Sequence, residues 1–367
     1  MMKHKEHFHG SDLEKIEKKY NIKKEDIISF SSNVNPLGIS FKLKTSLSSH
    51  IDAITSYPDR EYTDLRKAIG TYVDTDYKNI LVGNGSTELI SVLIQMKRPK
   101  KALILGPTYS EYEREITING GRCHYFRLKE EDNFQLDFSA LQTELTKDVD
   151  LLVLCNPNNP TSSYISQKDL RKMLDICKEK DIFVMVDETY VEFATNPEAV
   201  TSIPLTEYYN NIIILRGISK FFAAPGLRLG YAICGNQDLI HEINHKKNPW
   251  TINSLAAIAG EIMFSDEEYI QETRTLISKE RERICNTLSQ CNSLKLYPCN
   301  SNFVLVRILD ETVTADDIFD AAIRKGLMIR NCSTFPFLDN QYFRFCFMMP
   351  DKNDALIEVI LSFFKER

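Results

Sequence analysis

Residues 151–190 read LLVLCNPNNPTSSYISQKDLRKMLDICKEKDIFVMVDETY, and this stretch decides the fold. It opens on an unbroken apolar run, 151–155, and closes on another, 182–186. An amphipathic helical stretch lies between them. Near-continuous apolar runs suit strands buried on both faces. Strand, helix and strand in that order make the unit of a parallel sheet. Working outward, the same rhythm recurs with runs at 80–82, 102–105, 212–215 and 231–234. From about residue 50 to 235 the chain therefore reads as an α/β domain with a mostly parallel sheet.

Beyond about residue 255 the pattern changes. One long helical stretch, from Leu255 to about Leu288, precedes apolar runs at 302–307, 327–330 and 342–347. This predicts a second, smaller α+β domain, with a break at Asn248-Pro249. The expected division is an N-terminal arm, 1–45, packing with the small domain; a large domain, 46–250; and the small domain, 251–367. In the arm, Ser11-Asp12-Leu13-Glu14 has the spacing of a capping box, which starts a helix ending near Asn21. Its lysines read as a solvated face.

The 367 residues carry 45 Lys plus Arg and 51 Asp plus Glu, a formal charge of −6. That acidity argues against a nucleic-acid binder. No run approaches the ~18 apolar residues of a membrane span, so no membrane partner is expected. The opening MMKHKEHFHGSD has no apolar core of a secretory signal. Nine cysteines without a C-x-x-C pair suit reduced thiols, and a cytoplasmic location is expected.

Open α/β sheets collect ligands beyond the carboxyl ends of their strands. After 80–82 comes Gly83-Asn84-Gly85-Ser86-Thr87-Glu88 at a helix start, where free amides and hydroxyls can face an anion. A plain helix cap has the same look. After 151–155 comes Asn156-Pro157-Asn158-Asn159-Pro160-Thr161, a turn whose amides could reach a ligand. After 182–186 comes Asp187-Glu188-Thr189-Tyr190; a carboxylate at a buried strand end needs a partner. After 212–215 comes Arg216-Gly217-Ile218-Ser219-Lys220-Phe221-Phe222, then Gly226-Leu227-Arg228-Leu229-Gly230. A lysine flanked by aromatics can be desolvated toward the neutral amine that attacks carbonyls. Taken alone, each is ordinary. Together they match pyridoxal 5'-phosphate, whose phosphate, pyridine nitrogen and aldehyde ask for hydroxyl and guanidinium donors, an Asp and a Lys.

The same residues carry a resemblance. Asn158-Asn159-Pro160-Thr161, Asp187-Glu188-Thr189-Tyr190 and Ser219-Lys220 with Gly226-Leu227-Arg228-Leu229-Gly230-Tyr231 resemble the fold type I pyridoxal-phosphate enzymes of the class I/II aminotransferase superfamily. Within it the chain is most similar to the threonine-phosphate decarboxylases of cobalamin biosynthesis, and next to the histidinol-phosphate aminotransferases. His9-Gly10-Ser11-Asp12, Ser31-Ser32-Asn33-Val34-Asn35-Pro36, Tyr57-Pro58-Asp59, Asn248-Pro249-Trp250, Ile329-Arg330-Asn331-Cys332 and Tyr342-Phe343-Arg344 extend it over nearly the whole chain.

The resemblance implies a set of roles. Lys220 would hold the cofactor aldehyde, Asp187 its pyridine nitrogen, and Tyr190 and Asn159 its ring hydroxyl. Tyr109 would stack on the ring. Ser86, Thr87, Ser219 and Arg228 would hold its phosphate. Tyr57 would reach the site of a second copy, in a homodimer with shared active sites. Arg344 would take the substrate carboxylate, and His9, Asn33 and Arg330 the phosphate of a small phosphorylated amino acid. The implied reaction is decarboxylation of L-threonine O-3-phosphate to aminopropanol phosphate; transamination of histidinol-phosphate type is the alternative. A small rotation of the substrate separates the two. Four features depart from the family: Gly217 where relatives carry Ser or Thr, Tyr190 where decarboxylases can have Phe, Ser11 after His9-Gly10, and Phe335-Pro336-Phe337 in place of a more usual Pro-Gly.

Two further motifs compete. His241-Glu242-Ile243-Asn244-His245 fits the zincin pattern H-E-x-x-H, but the polar Lys246-Lys247-Asn248-Pro249 that follows reads as an exposed helix end, and no metal is expected. A regulator that merely senses the cofactor would need a DNA-binding domain, for which a short arm leaves no room. Cys332 and Cys346 read as packing residues. Trp250 reads either as a pocket-mouth residue or as core.

Overall fold

The computed structural model describes residues 12–364. Thirteen strands are described: β1 (Ile28–Ser29), β2 (Ile80–Gly83), β3 (Lys101–Gly106), β4 (Arg122–Arg127), β5 (Leu151–Cys155), β6 (Phe183–Asp187), β7 (Ile212–Gly217), β8 (Gly230–Ile233), β9 (Leu294–Leu296), β10 (Phe303–Ile308), β11 (Leu327–Met328), β12 (Arg330–Asn331) and β13 (Tyr342–Cys346). The helices are α1 (Leu13–Tyr20), α2 (Phe41–Ser49), α3 (Thr63–Val73), α4 (Gly85–Lys97), α5 (Glu111–Ile118), α6 (Phe138–Glu144), α7 (Gln167–Glu179), α8 (Pro197–Val200), α9 (Gln237–Lys246), α10 (Ser254–Met263), α11 (Glu267–Leu288), α12 (Ala315–Ile323) and α13 (Pro350–Ser362).

Seven strands form one sheet in the order β2-β8-β7-β6-β5-β3-β4. Only β8 runs antiparallel to its neighbours, so the sheet is mostly parallel. Every residue of β5, β6 and β7 is buried, which is why these segments read as continuous apolar runs. The edge strand β4, Arg-Cys-His-Tyr-Phe-Arg, was not legible: exposed and half-buried residues alternate along it, and it has no apolar run. Several helices start on side-chain caps. Ser166 caps α7, Asn236 caps α9, and Thr314 with Asp317 makes a full capping box on α12.

A second sheet, β12-β13-β10-β9, is antiparallel throughout. The single long helix expected from Leu255 is two helices. Phe264, Ser265 and Asp266 separate α10, which packs on α2 and α3, from α11, which packs on α13. The polar Ser265-Asp266-Glu267-Glu268 at the start of α11 was the available signal for this turn, and the reading of one helical stretch passed over it.

The arm joins the second sheet region through β1, which pairs in parallel with β11. Tyr20 adds a hydrogen bond to Asp320 of α12 at 2.7 Å. Helix α1 ends at Tyr20, with Asn21 in the left-handed conformation. Ser11 of the expected capping box lies outside the described residues, and the Asp12 side chain caps nothing.

Candidate active site

The loops that follow β2, β3, β5, β6 and β7 meet at a cavity of about 530 Å³. Its lining includes Ser86, Thr87, Tyr109, Asn159, Asp187, Tyr190, Ser219, Lys220, Arg228, Asn33, Arg330 and Arg344. Two of the expected residues are not among them. Tyr57 is 81% exposed and its ring lies 4.8 Å from that of Trp250. His9 lies outside the described residues. Trp250, 41% exposed, belongs neither to this cavity nor to the core.

One end of the cavity is built for a dianion. No side chain caps α4, so its first amides are left for another acceptor, beside the hydroxyls of Ser86 and Thr87. Arg228 closes in from the turn before β8. A Cβ on Gly85 would come within 2.4 Å of its guanidinium, and one on Gly230 within 2.2 Å of the Ser86 nitrogen. Gly85 also has φ +76°, so only glycine makes this approach without strain. Gly217 is different. A Cβ there would meet nothing closer than 3.6 Å, so the wall has room for the side chain this sequence lacks.

At the centre, Asp187 sits at the end of β6 and is buried. Its Oδ1 accepts from the Thr189 amide at 2.9 Å and hydroxyl at 2.5 Å; its Oδ2 accepts from Tyr112 at 2.7 Å. Burial pushes its pKa up despite those donors, and no cation among its surroundings offsets it. A cationic ligand group would supply the missing charge. Tyr112 escaped the sequence reading. It lies three residues beyond Tyr109, in the first turn of α5, and the nearby pair of tyrosines was the available signal. Burial, above all, pushes Tyr109 up to about 12.

Lys220 donates to the Ser32 carbonyl at 2.6 Å. Burial first, then the Arg344 and Arg228 cations, push it down to about 8, from an ordinary 10.5. Asn33, at φ +56°, donates to the Tyr190 hydroxyl at 3.2 Å.

The far wall comes from the second sheet. Arg330 on β12 and Arg344 on β13 are directly paired in register. Arg344 is buried; it donates to Asn159 Oδ1 and, at 2.6 Å, to the Ser31 carbonyl. Its Nε has no partner, and neither do the buried Ser31 Oγ and Asn33 Oδ1. Arg330 donates to Thr334 at 2.8 Å and lies 5.4 Å over the Phe335 ring. Phe337, at φ +68°, packs edge-on against Tyr125 of β4 at 5.8 Å. Orphaned donors and acceptors at a cavity wall mark a place for a polar ligand.

The remaining motifs resolve simply. His241 and His245 are exposed on α9, and no cluster of three or more metal-ligating side chains occurs among the described residues. The helix end is exposed at Lys246, Asn248 and Pro249, as read; Lys247 alone folds back and donates to the Val82 carbonyl. Cys332 and Cys346 are fully buried. No helix of the described residues is long and apolar enough to cross a membrane.

The donor set fits pyridoxal phosphate: a phosphate cradle, a buried carboxylate without a cation, and a lysine of lowered pKa in one cavity. Comparison with known proteins agrees. The sequence profile of "Aminotransferase class I and II" matches residues 12–360. Threonine-phosphate decarboxylase of Salmonella typhimurium is 32% identical over 352 residues, covering 96% of this chain and 95% of that protein. Histidinol-phosphate aminotransferase of Methanocaldococcus jannaschii is 29% identical, covering 91% of this chain and 88% of that protein. The crystal structure of the histidinol-phosphate aminotransferase from Clostridium acetobutylicum superposes with a TM-score of 0.86 at 30% identity, covering 92% of this chain and 99% of that one. The chain belongs to the class I and II aminotransferase family.

Proposed function

We propose that this member of the family is a pyridoxal-phosphate enzyme that decarboxylates L-threonine O-3-phosphate to aminopropanol phosphate. The observation that carries the substrate class is the register pair Arg330 and Arg344, two cations on one cavity wall, separate from Arg228 at the cofactor end. A small substrate with a carboxylate and a phosphate uses both. The likeness to the Salmonella decarboxylase supports decarboxylation over transamination.

Bound in the cavity, pyridoxal phosphate would supply an electron sink for the bond broken at the substrate Cα. The chain's own residues do the rest. Ser86, Thr87, Ser219 and Arg228 hold the phosphate. Asp187 keeps a proton at the ring nitrogen. Tyr190 and Asn159 face the ring hydroxyl, and Tyr109 covers the ring. Arg344 fixes the carboxylate, while Asn33 and Arg330 take the substrate phosphate, with His9 assigned the same task from sequence. Lys220, held near neutrality, moves the proton at Cα. The nine free thiols support a cytoplasmic setting. Exposed Phe41 and Ile54, with the exposed and mutually contacting Tyr57 and Trp250, support a homodimer that would cover them.

The deciding experiment incubates protein, pyridoxal phosphate and L-threonine phosphate without a keto acid. Steady CO₂ release is the expected result. Stoichiometric conversion of the cofactor to its amino form without CO₂ would instead establish a transaminase. The wall arginine gives a second test. Arg344→Lys keeps the charge but loses the planar fork, so KM for the substrate is expected to rise about 10- to 100-fold. An unchanged KM would remove Arg344 from substrate binding.

A further inference from the structure

Beside Arg330 the cavity wall is made by the loop between β12 and β13, through Thr334 and Phe335. Two successive turns build this loop. The Phe335 amide donates to the Cys332 carbonyl at 2.9 Å, and the Leu338 amide donates to the Phe335 carbonyl at 3.2 Å. The second turn, Phe335-Pro336-Phe337-Leu338, has proline in its second place and φ +68° in its third. That third place asks for glycine, which takes it without strain. This chain has Phe337 there, on an exposed tip. A strained conformation persists only where the surroundings hold it.

Those surroundings belong to the other sheet. The Phe337 ring meets Tyr125 of β4 edge-on at 5.8 Å, and the Arg127 guanidinium lies 5.4 Å from its centroid. Tyr125 is fixed in turn, since its hydroxyl donates to Glu113 at 2.9 Å. The ring also overhangs the end of β3, where a Cβ on Gly106 would come within 3.3 Å of it. One aromatic side chain therefore ties the loop that carries Phe335 to the strand ends that lead into Tyr109.

We infer that Phe337 is a latch that sets substrate size: it pins the β12–β13 loop to β3 and β4, and so holds Phe335 as a fixed wall that admits a short phosphorylated amino acid and excludes a bulkier phosphorylated amine. The inference rests on the substrate proposed above and adds the device that selects it. Phe337 is outside the cavity lining, so it is a positioning residue that acts through Phe335, its partner in the turn. Arg330 and Arg344 are register partners on neighbouring strands, so a substrate that meets both is short. Phe335 stands beside that pair, buried, with the Arg330 guanidinium 5.4 Å from its ring centroid. A ring-bearing substrate would need the space that Phe335 fills. Held on both sheets, the wall refuses it; freed from β4, the turn can yield. Discrimination then comes from a barrier raised against the wrong ligand.

The test mixes the full-length protein, loaded with pyridoxal phosphate, with L-threonine phosphate or with histidinol phosphate. Each dissociation constant is read from the initial absorbance change of the bound cofactor. The wild type is expected to bind L-threonine phosphate at least about tenfold tighter. Phe337→Gly suits the φ of the turn, so it should fold, and it should cut that preference about tenfold. Tyr125→Leu leaves the loop's own sequence intact and should cut it likewise. Phe337→Tyr keeps the ring and should keep the preference. Cofactor affinity should be unchanged in all three. A preference unaltered in Phe337→Gly and Tyr125→Leu, or a parallel loss of both ligands and the cofactor, would overturn the latch and leave the proposed reaction standing. A wild type that prefers histidinol phosphate would overturn both.

Discussion

Lys220→Ala is expected to lower turnover on the order of 10,000-fold or more, with the fold intact. The side chain lies in the cavity wall and its amine spends its one hydrogen bond on the Ser32 carbonyl, so its loss leaves no buried cation unpaired. Chemistry is what it removes: the group that takes the cofactor aldehyde and moves the proton at Cα. Borohydride reduction should fix the cofactor covalently to Lys220 in the wild type and to nothing in the variant. The lowered pKa adds a pH signature. The amine is half neutral at about 8 rather than 10.5, so cofactor loading should accelerate as pH rises toward 8 and flatten above it. Normal turnover by Lys220→Ala would defeat the assignment.

Asp187→Asn separates catalysis from stability. Asparagine keeps the shape and can still accept from the Thr189 amide. It cannot hold a proton at the ring nitrogen, and kcat is expected to fall about 1,000-fold. Stability of the cofactor-free protein should move the other way. The folded pKa of Asp187 is raised, so in the folded state the ionised form is disfavoured. Between the unfolded carboxylate value and the raised folded one, that burial cost grows against the fold as pH rises, and above both it stays constant. Asparagine abolishes it, so the cofactor-free variant should melt at or above the wild-type temperature at pH 7. A kcat within threefold of wild type would release Asp187 from its role.

The parallel sheet was legible because its strands are buried on both faces, which leaves a one-dimensional apolar signature. Edge strand β4 and the two-residue strands β1 and β12 have no such signature; their pairing comes from tertiary contact. Residues at the strand ends were legible as types, an Asp, a Lys and an Arg in order. Their convergence was not, because it depends on how the sheet twists and the chain crosses over. The charge support was hidden too. Tyr112 on Asp187 and Ser32 on Lys220 join residues 75 and 188 positions apart, which no local pattern records. Tyr57 is exposed and does not line the cavity of its own chain.

The antiparallel insertion of β8 between β2 and β7 also bears on how the protein is made. β2 lies at the sheet edge, and β8 is its sole partner there. A ribosome therefore delivers the cradle at Ser86 and Thr87 early and holds it without lateral support until the chain reaches residue 230. From residue 217 until β8 arrives, β7 presents an open edge, an invitation to pair with a neighbouring nascent chain. Translation that stalls between β7 and β8 would release fragments with nearly the whole sheet and an unguarded side. For this protein the hazardous moment is the last stretch of synthesis before β8 seals the gap.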